Sequence, residues 1–195
     1  MSTVAVRSRQ LTPDDVLDMP DGNRYELVDG RLVELDMGFH SQFVATQLAT
    51  LLVNYCKPTG LAYVVVEAGY TCFPSKPNRM RRPDVSCVRV DRLPFDRIGD
   101  GYPSIRPDLA VEIVSPNDRV YDLEEKLDDY REAGIPLIWL VYPPSRRVRI
   151  LRPEGPPTEL GPDDELTGED VLPGFRCRVA DLFAGPSEQV IEPVH

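Results

Sequence analysis

The stretch Leu109-Ala110-Val111-Glu112-Ile113-Val114 decides the fold. A run that is apolar at every position but one reads as a central strand covered on both faces, because a one-sided strand would alternate. The exception, Glu112, is the most informative residue in the chain. An ionised carboxylate in such a place is costly unless a cation or an opposite charge accompanies it. Two readings stand at this point: a structural ion pair with a nearby arginine, or a carboxylate that holds a cation.

Downstream, Ser115-Pro116-Asn117-Asp118 is a turn leading into a helix over 120–133, closed by Gly134. On a helical wheel Leu123, Leu127 and Tyr130 fall in one arc, with Lys126 at one border and Arg131 at the other. Glu124, Glu125, Asp128, Asp129 and Glu132 point elsewhere. The apolar stripe packs on a sheet, and Lys126 either snorkels at its edge or reaches back to Glu112 on the preceding strand. A buried strand follows at 137–141, then a turn at Pro143-Pro144 and an edge strand at 147–151. The acidic, Pro/Gly-rich segment 153–174 reads as surface, and 175–183 as a last strand with a short helical turn.

Upstream, Asp84 begins a strand over 84–90, directly after Arg81-Arg82-Pro83. Taken alone it reads as a turn aspartate. Its weight comes from pairing with Glu112, since two carboxylates on neighbouring strands make a hard-oxygen site suited to Mg²⁺ or Mn²⁺. The basic loop 76–82, with Lys76, Arg79, Arg81 and Arg82, is either solvated or a phosphate-backbone contact beside that site. A buried-type strand is expected at 61–66. A helix over 40–56 buries Phe43, Val44, Gln47, Leu48, Leu51, Leu52 and Tyr55, and is stopped by Pro58 and Gly60. Asp29-Gly30 between two β-rich runs predicts a hairpin, and Thr12-Pro13 opens a short helix. The order of elements implies an α/β or α+β domain, with a mixed central sheet flanked by helices and an N-terminal β-hairpin.

The chain has 195 residues and a formal net charge of −10, which repels nucleic acid at long range. Twenty prolines make many connections stiff turns. Cys56, Cys72, Cys87 and Cys177 form no C-x-x-C pair, and a reducing, cytoplasmic compartment is expected. The N-terminus carries no signal-peptide apolar region, and no run approaches the roughly 18 apolar residues of a membrane span. With His40 and His195 the only histidines, a His-rich metal site is excluded. There is no H-E-x-x-H, G-x-S-x-G, Walker loop or Rossmann glycine pattern.

Several segments together resemble the Uma family of putative restriction endonucleases, within the PD-(D/E)XK nuclease superfamily. They are Tyr25-Glu26-Leu27-Val28-Asp29-Gly30-Arg31-Leu32 with His40; Arg82-Pro83-Asp84-Val85-Ser86; Pro107 to Pro116; Lys126 to Pro136; Trp139-Leu140-Val141; and Leu172-Pro173-Gly174-Phe175. The resemblance covers nearly the whole chain. It implies a restriction-endonuclease-like domain over 12–183, between an N-terminal extension (1–11) and a C-terminal tail (184–195). It makes Asp84 the signature aspartate and Glu112 the second acid, with the Ile113 carbonyl as a further metal ligand. Val114 stands where the parent signature has lysine, and Lys126 is the matching relocated position. Glu26 and His40 match family motif positions, and Glu26 is counted with the catalytic set.

The implied activity is Mg²⁺- or Mn²⁺-assisted hydrolysis of nucleic acid, in first place DNA. Lys126 would orient the nucleophile or stabilise developing charge, so Lys126→Ala is expected to leave the fold intact and abolish cleavage. The charge of −10 motivates an alternative, a nuclease-fold protein that binds a partner without cutting. A small-molecule hydrolase lacks a nucleophile and ranks last. A homo-oligomer, such as a dimer, is expected because an edge strand like 147–151 needs cover.

Overall fold

A computed structural model describes residues 9–35, 38–115 and 118–185. The Pro116-Asn117 turn and most of the expected terminal extensions lie outside those residues. The short helix α1 (Pro13–Leu17) opens with a capping box: the Thr12 hydroxyl accepts from the Asp15 N–H, and the Asp15 carboxylate accepts from the Thr12 N–H. Strands β1 (Tyr25–Val28) and β2 (Arg31–Glu34) pair antiparallel. Asp29 and Gly30 at their turn have φ of 48° and 74°, the doubly left-handed turn that Asp-Gly favours and that matches strand twist.

The long helix α2 (Phe39–Thr59) follows. It does not stop at Pro58 but runs one residue past it, because a proline so near the end of a helix removes little of the hydrogen-bond ladder. The Thr59 hydroxyl donates to the Tyr55 carbonyl at 2.8 Å, and Gly60, at φ 61°, turns its N–H back on the last turn.

The central sheet contains β3 (Ala62–Val66), β4 (Val85–Arg89), β5 (Leu109–Ile113), β6 (Leu137–Tyr142), β7 (Arg147–Leu151) and β8 (Thr158–Leu160), side by side in that order. β5 and β6 run parallel, joined by α3 (Val120–Glu132), and every other neighbouring pair is antiparallel. A separate hairpin, β9 (Glu165–Gly168) with β10 (Leu172–Arg178), ends in a 3₁₀ turn at Val179–Phe183.

Alternation along the strands sorts the side chains into two layers. Val85, Cys87, Leu109, Val111, Ile113, Leu137, Trp139 and Val141 pack with Val44, Leu48 and Leu52 of α2. Val88, Ala110, Ile138 and Leu140 pack with Leu127 and Tyr130 of α3. The fold is therefore a mixed sheet between helices with an N-terminal hairpin. Among the described residues no helix is long and apolar enough to cross a membrane.

Three expectations need correction. The strand at 61–66 is not buried: β3 is an outer strand, and Val65 and Val66 face solvent. Arg147–Leu151 is not an edge, because β8 covers it. Segment 153–174 lies mostly at the surface as expected, but it also supplies β8 and β9, which the sequence reading does not include; both are too short, at three and four residues, to show a period amid acidic and turn residues.

Candidate active site

The two-residue period of the strands determines which acids can meet. Ala110 on β5 and Val88 on β4 face α3, so Glu112 and Asp84, each an even number of positions away, project to that same side. α3 buries Lys126, Leu127, Asp129 and Tyr130 against the sheet. The N-terminal hairpin adds a fourth group. Leu27 and Met80 exchange backbone hydrogen bonds, at 2.9 and 2.8 Å, which lays Glu26 beside Arg81 and Arg82.

The four meet in one cleft of about 440 Å³, lined among others by Glu26, Arg81, Asp84, Glu112, Ile113 and Lys126. The Lys126 ammonium lies 2.8 Å from Glu112 Oε2, 2.9 Å from Glu26 Oε1 and 3.0 Å from the Arg82 carbonyl oxygen. The Tyr130 hydroxyl donates to Glu112 Oε1 at 2.6 Å. Asp84 Oδ2 accepts the Ile113 N–H at 2.5 Å. Glu26 accepts the Arg82 N–H at 2.7 Å and Arg81 Nη1 at 3.0 Å. The amine expected at the edge of the helical stripe is thus on the acids' side of the sheet, and the ion pair of Glu112 is with lysine, not arginine. His40, on the exposed first turn of α2, does not line the cleft.

Burial governs the electrostatics. It pushes the Glu112 carboxyl up to about 8, with Lys126 opposing and Asp84 and Glu26 adding to the rise. It pushes Asp84 up to about 6 against the pull of Lys126 and the Ile113 N–H. For Glu26 burial acts in the same direction, but the charges of Lys126 and Arg81 and the Arg82 N–H outweigh it and hold the carboxyl below its usual value. Lys126 ends above its ordinary value, since Glu112, Glu26 and Asp84 overcome its desolvation.

Residues 79–82 are not a solvated basic loop. Arg79, Arg81 and Arg82 are 3, 3 and 5% exposed. Arg79 and Arg81 converge on Asp129 at 2.8 and 2.6 Å; Arg82 donates to the carbonyls of Tyr25, Glu67 and Gly22 and lies over the ring of Tyr102. Their heads are largely committed to protein acceptors, although Arg81 lines the cleft, and this burial counts against the expected phosphate contact from these three side chains. Asp129 is corrected too: it points inward, fully buried, and also takes Lys76 at 2.8 Å. Asp129 and Tyr130 are the site's unforeseen members. One signal in the sequence pointed to Asp129: it sits three positions after Lys126, within reach of the same helix face.

Whether these residues fit a divalent cation is a question of donors. Among the described residues no three His, Cys, Asp or Glu side chains gather into a metal-holding group. Mg²⁺, however, is commonly bound through only one or two carboxylates, with waters completing its shell. Glu112 spends one lone pair of each oxygen on Lys126 and Tyr130 and keeps one on each. Asp84 adds to the rise at Glu112, and a cation held by the two acids would relieve it. The donor set fits.

A family model described as "Uma2: Putative restriction endonuclease" matches residues 13–180. A crystal structure from Anabaena variabilis ATCC 29413, titled a "putative nuclease belonging to DUF820", is similar with a TM-score of 0.72 at 23% identity, covering 89% of this chain and 97% of that one. At that identity the likeness shows a shared fold. No curated protein matches the chain.

Proposed function

The chain belongs to the Uma2 family of "putative restriction endonucleases", and from that membership we propose that it hydrolyses phosphodiester bonds of nucleic acid, in first place DNA, with Mg²⁺ or Mn²⁺ held by Asp84 and Glu112. The observation that carries the reading is the meeting of Asp84, Glu112, Lys126 and Glu26 in one cleft. The Ile113 carbonyl is a further candidate ligand, because Ile113 lines the cleft and its own N–H orients Asp84. When bound, such a cation supplies a water of lowered pKa and neutralises charge on the phosphate.

The chain's own groups act around that centre. Lys126 stays protonated between Glu112 and Glu26, which rules it out as a base and makes it a fixed positive charge beside the scissile group. Its three N–H donors already face three acceptors, so it stabilises developing charge mainly through its field. Glu26 holds the ammonium together with Glu112. The Ile113 N–H and the Tyr130 hydroxyl fix the two acids in orientation.

The test is a Mg²⁺ and Mn²⁺ titration against supercoiled, linear and single-stranded DNA and against RNA. Nicking that disappears in Glu112→Gln and Asp84→Asn is expected. Absence of turnover on every substrate, or full turnover in Glu112→Gln, rejects the proposal. A second reading, a nuclease-fold protein that binds without cutting, is supported by the net charge of −10; Mn²⁺ binding with no turnover would establish it. Self-association belongs to the proposal through β3, whose outer edge no strand pairs among the described residues, and mass measurement over a dilution series tests it.

A further inference from the structure

Lys126, Asp129 and Tyr130 occupy positions i, i+3 and i+4, so a single turn of α3 brings all three to its buried side. They are joined by a chain of contacts that leaves the helix and returns to it. Asp129 Oδ2 accepts from Arg81 Nε at 2.6 Å and from Arg79 Nη1 at 2.8 Å. Arg81 Nη1 donates to Glu26 Oε2 at 3.0 Å. Glu26 Oε1 faces the Lys126 ammonium at 2.9 Å, and the ammonium donates to Glu112 Oε2 at 2.8 Å. The other Glu112 oxygen takes the Tyr130 hydroxyl at 2.6 Å.

We infer that Asp129 and Tyr130 are positioning residues for the Lys126 amine, each acting through one of the two glutamates that hold it. Neither lines the cleft, so neither meets a substrate. A lysine on four rotatable bonds is placed only as well as its acceptors are placed. Glu112 could rotate about its last bond; the Tyr130 hydroxyl prevents that by holding one oxygen while the ammonium holds the other. Glu26 could swing as well; Arg81 holds its second oxygen, and Arg81 is in turn aimed by Asp129. The fully buried Asp129 accepts on both oxygens, Lys76 at Oδ1 and the two arginines at Oδ2, so it forms a fixed end to the chain. This supporting shell fixes the geometry that a catalytic amine requires.

The inference rests on Lys126 being the working amine of the proposed site, and its test does not depend on activity. In ¹⁵N-labelled, metal-free protein the Lys126 ammonium signal is assigned by its loss in Lys126→Met. An amine held by three buried acceptors gives a resolved, slowly exchanging signal. Tyr130→Phe, which removes one oxygen and keeps the packed ring, is expected to shift and broaden that signal with the circular dichroism unchanged. Asp129→Asn is expected to do the same by way of Arg81 and Glu26. Mn²⁺ dissociation constants in both variants should weaken about 10–100-fold, the usual effect of losing an outer-shell partner. An unchanged ammonium signal in Tyr130→Phe overturns the role of Tyr130, and that result stands even where Asp129→Asn does not fold. An unchanged signal in folded Asp129→Asn overturns the role of Asp129. A wild-type protein that neither binds Mn²⁺ nor cuts nucleic acid sinks the proposed activity instead, and the ammonium measurement still decides whether Asp129 and Tyr130 hold the amine.

Discussion

Lys126 sits between Glu112 and Glu26 with almost no access to water, and this changes what its removal does. Lys126→Ala leaves two buried carboxylates without their cation, a loss of about 3–5 kcal/mol for breaking a buried pair from one side. The expectation that the substitution leaves the fold intact is therefore revised: urea unfolding should show a loss of that size, and an unchanged midpoint would contradict the ion triad. The acids also set a pH dependence. Asp84 and Glu112 titrate higher folded, at about 6 and about 8, than their ordinary values of 3.8 and 4.5. A group with a raised folded pKa stabilises fully below its unfolded value and loses that contribution as pH climbs through the folded one. Metal-free protein should accordingly lose stability from about pH 4 to about pH 8, and Glu112→Gln should flatten the slope above about pH 6. The place of Glu112 was readable because an otherwise aliphatic strand made one acid conspicuous. The spacing of Asp129 from Lys126 was readable, but its role was not, because its partners Arg79 and Arg81 lie about fifty positions away and only the fold brings them to it.

Elements were legible where a local rule governs them. The Asp29-Gly30 turn, the Thr12 cap and the closing Gly134 each carry their own backbone chemistry. β8 was hidden because three residues show no period, and with it went the true edge of the sheet. Two of the left-handed glycines, Gly30 and Gly60, provide a test of how closely the hairpin is seated. An added Cβ at Gly30 would approach the Gln10 side chain at 2.6 Å, while one at Gly60 meets nothing within 4 Å. Both substitutions to alanine incur the left-handed penalty of about 1–2 kcal/mol. Gly30→Ala should exceed Gly60→Ala in thermal unfolding, and because β1 carries Glu26 it alone should also disturb the cleft. Equal losses would mean that the hairpin tolerates displacement from the residues before α1.

At the scale of the molecule a net charge of −10 works against a polyanionic substrate. With the arginines of residues 79–82 turned inward, the exposed basic side chains lining the cleft are Arg24, itself paired with Glu34, and Arg119. DNA affinity measured in a chelator should therefore be weak and should rise when Mg²⁺ or Ca²⁺ is added, a gain that Glu112→Gln removes; anisotropy with a labelled oligonucleotide reads both, and affinity indifferent to divalent ions would refute the expectation. The flank of β3 that no strand pairs among the described residues has a practical consequence of another kind. Ala62-Tyr63-Val64-Val65-Val66 contains neither charge nor proline, the devices by which sheets ordinarily discourage strangers from joining. Any extended polypeptide, a half-made copy of this one included, can add itself there, so crowded preparations should turn cloudy before dilute ones do. Val65→Lys, at an exposed position of β3 that does not line the cleft, should keep them clear under light scattering.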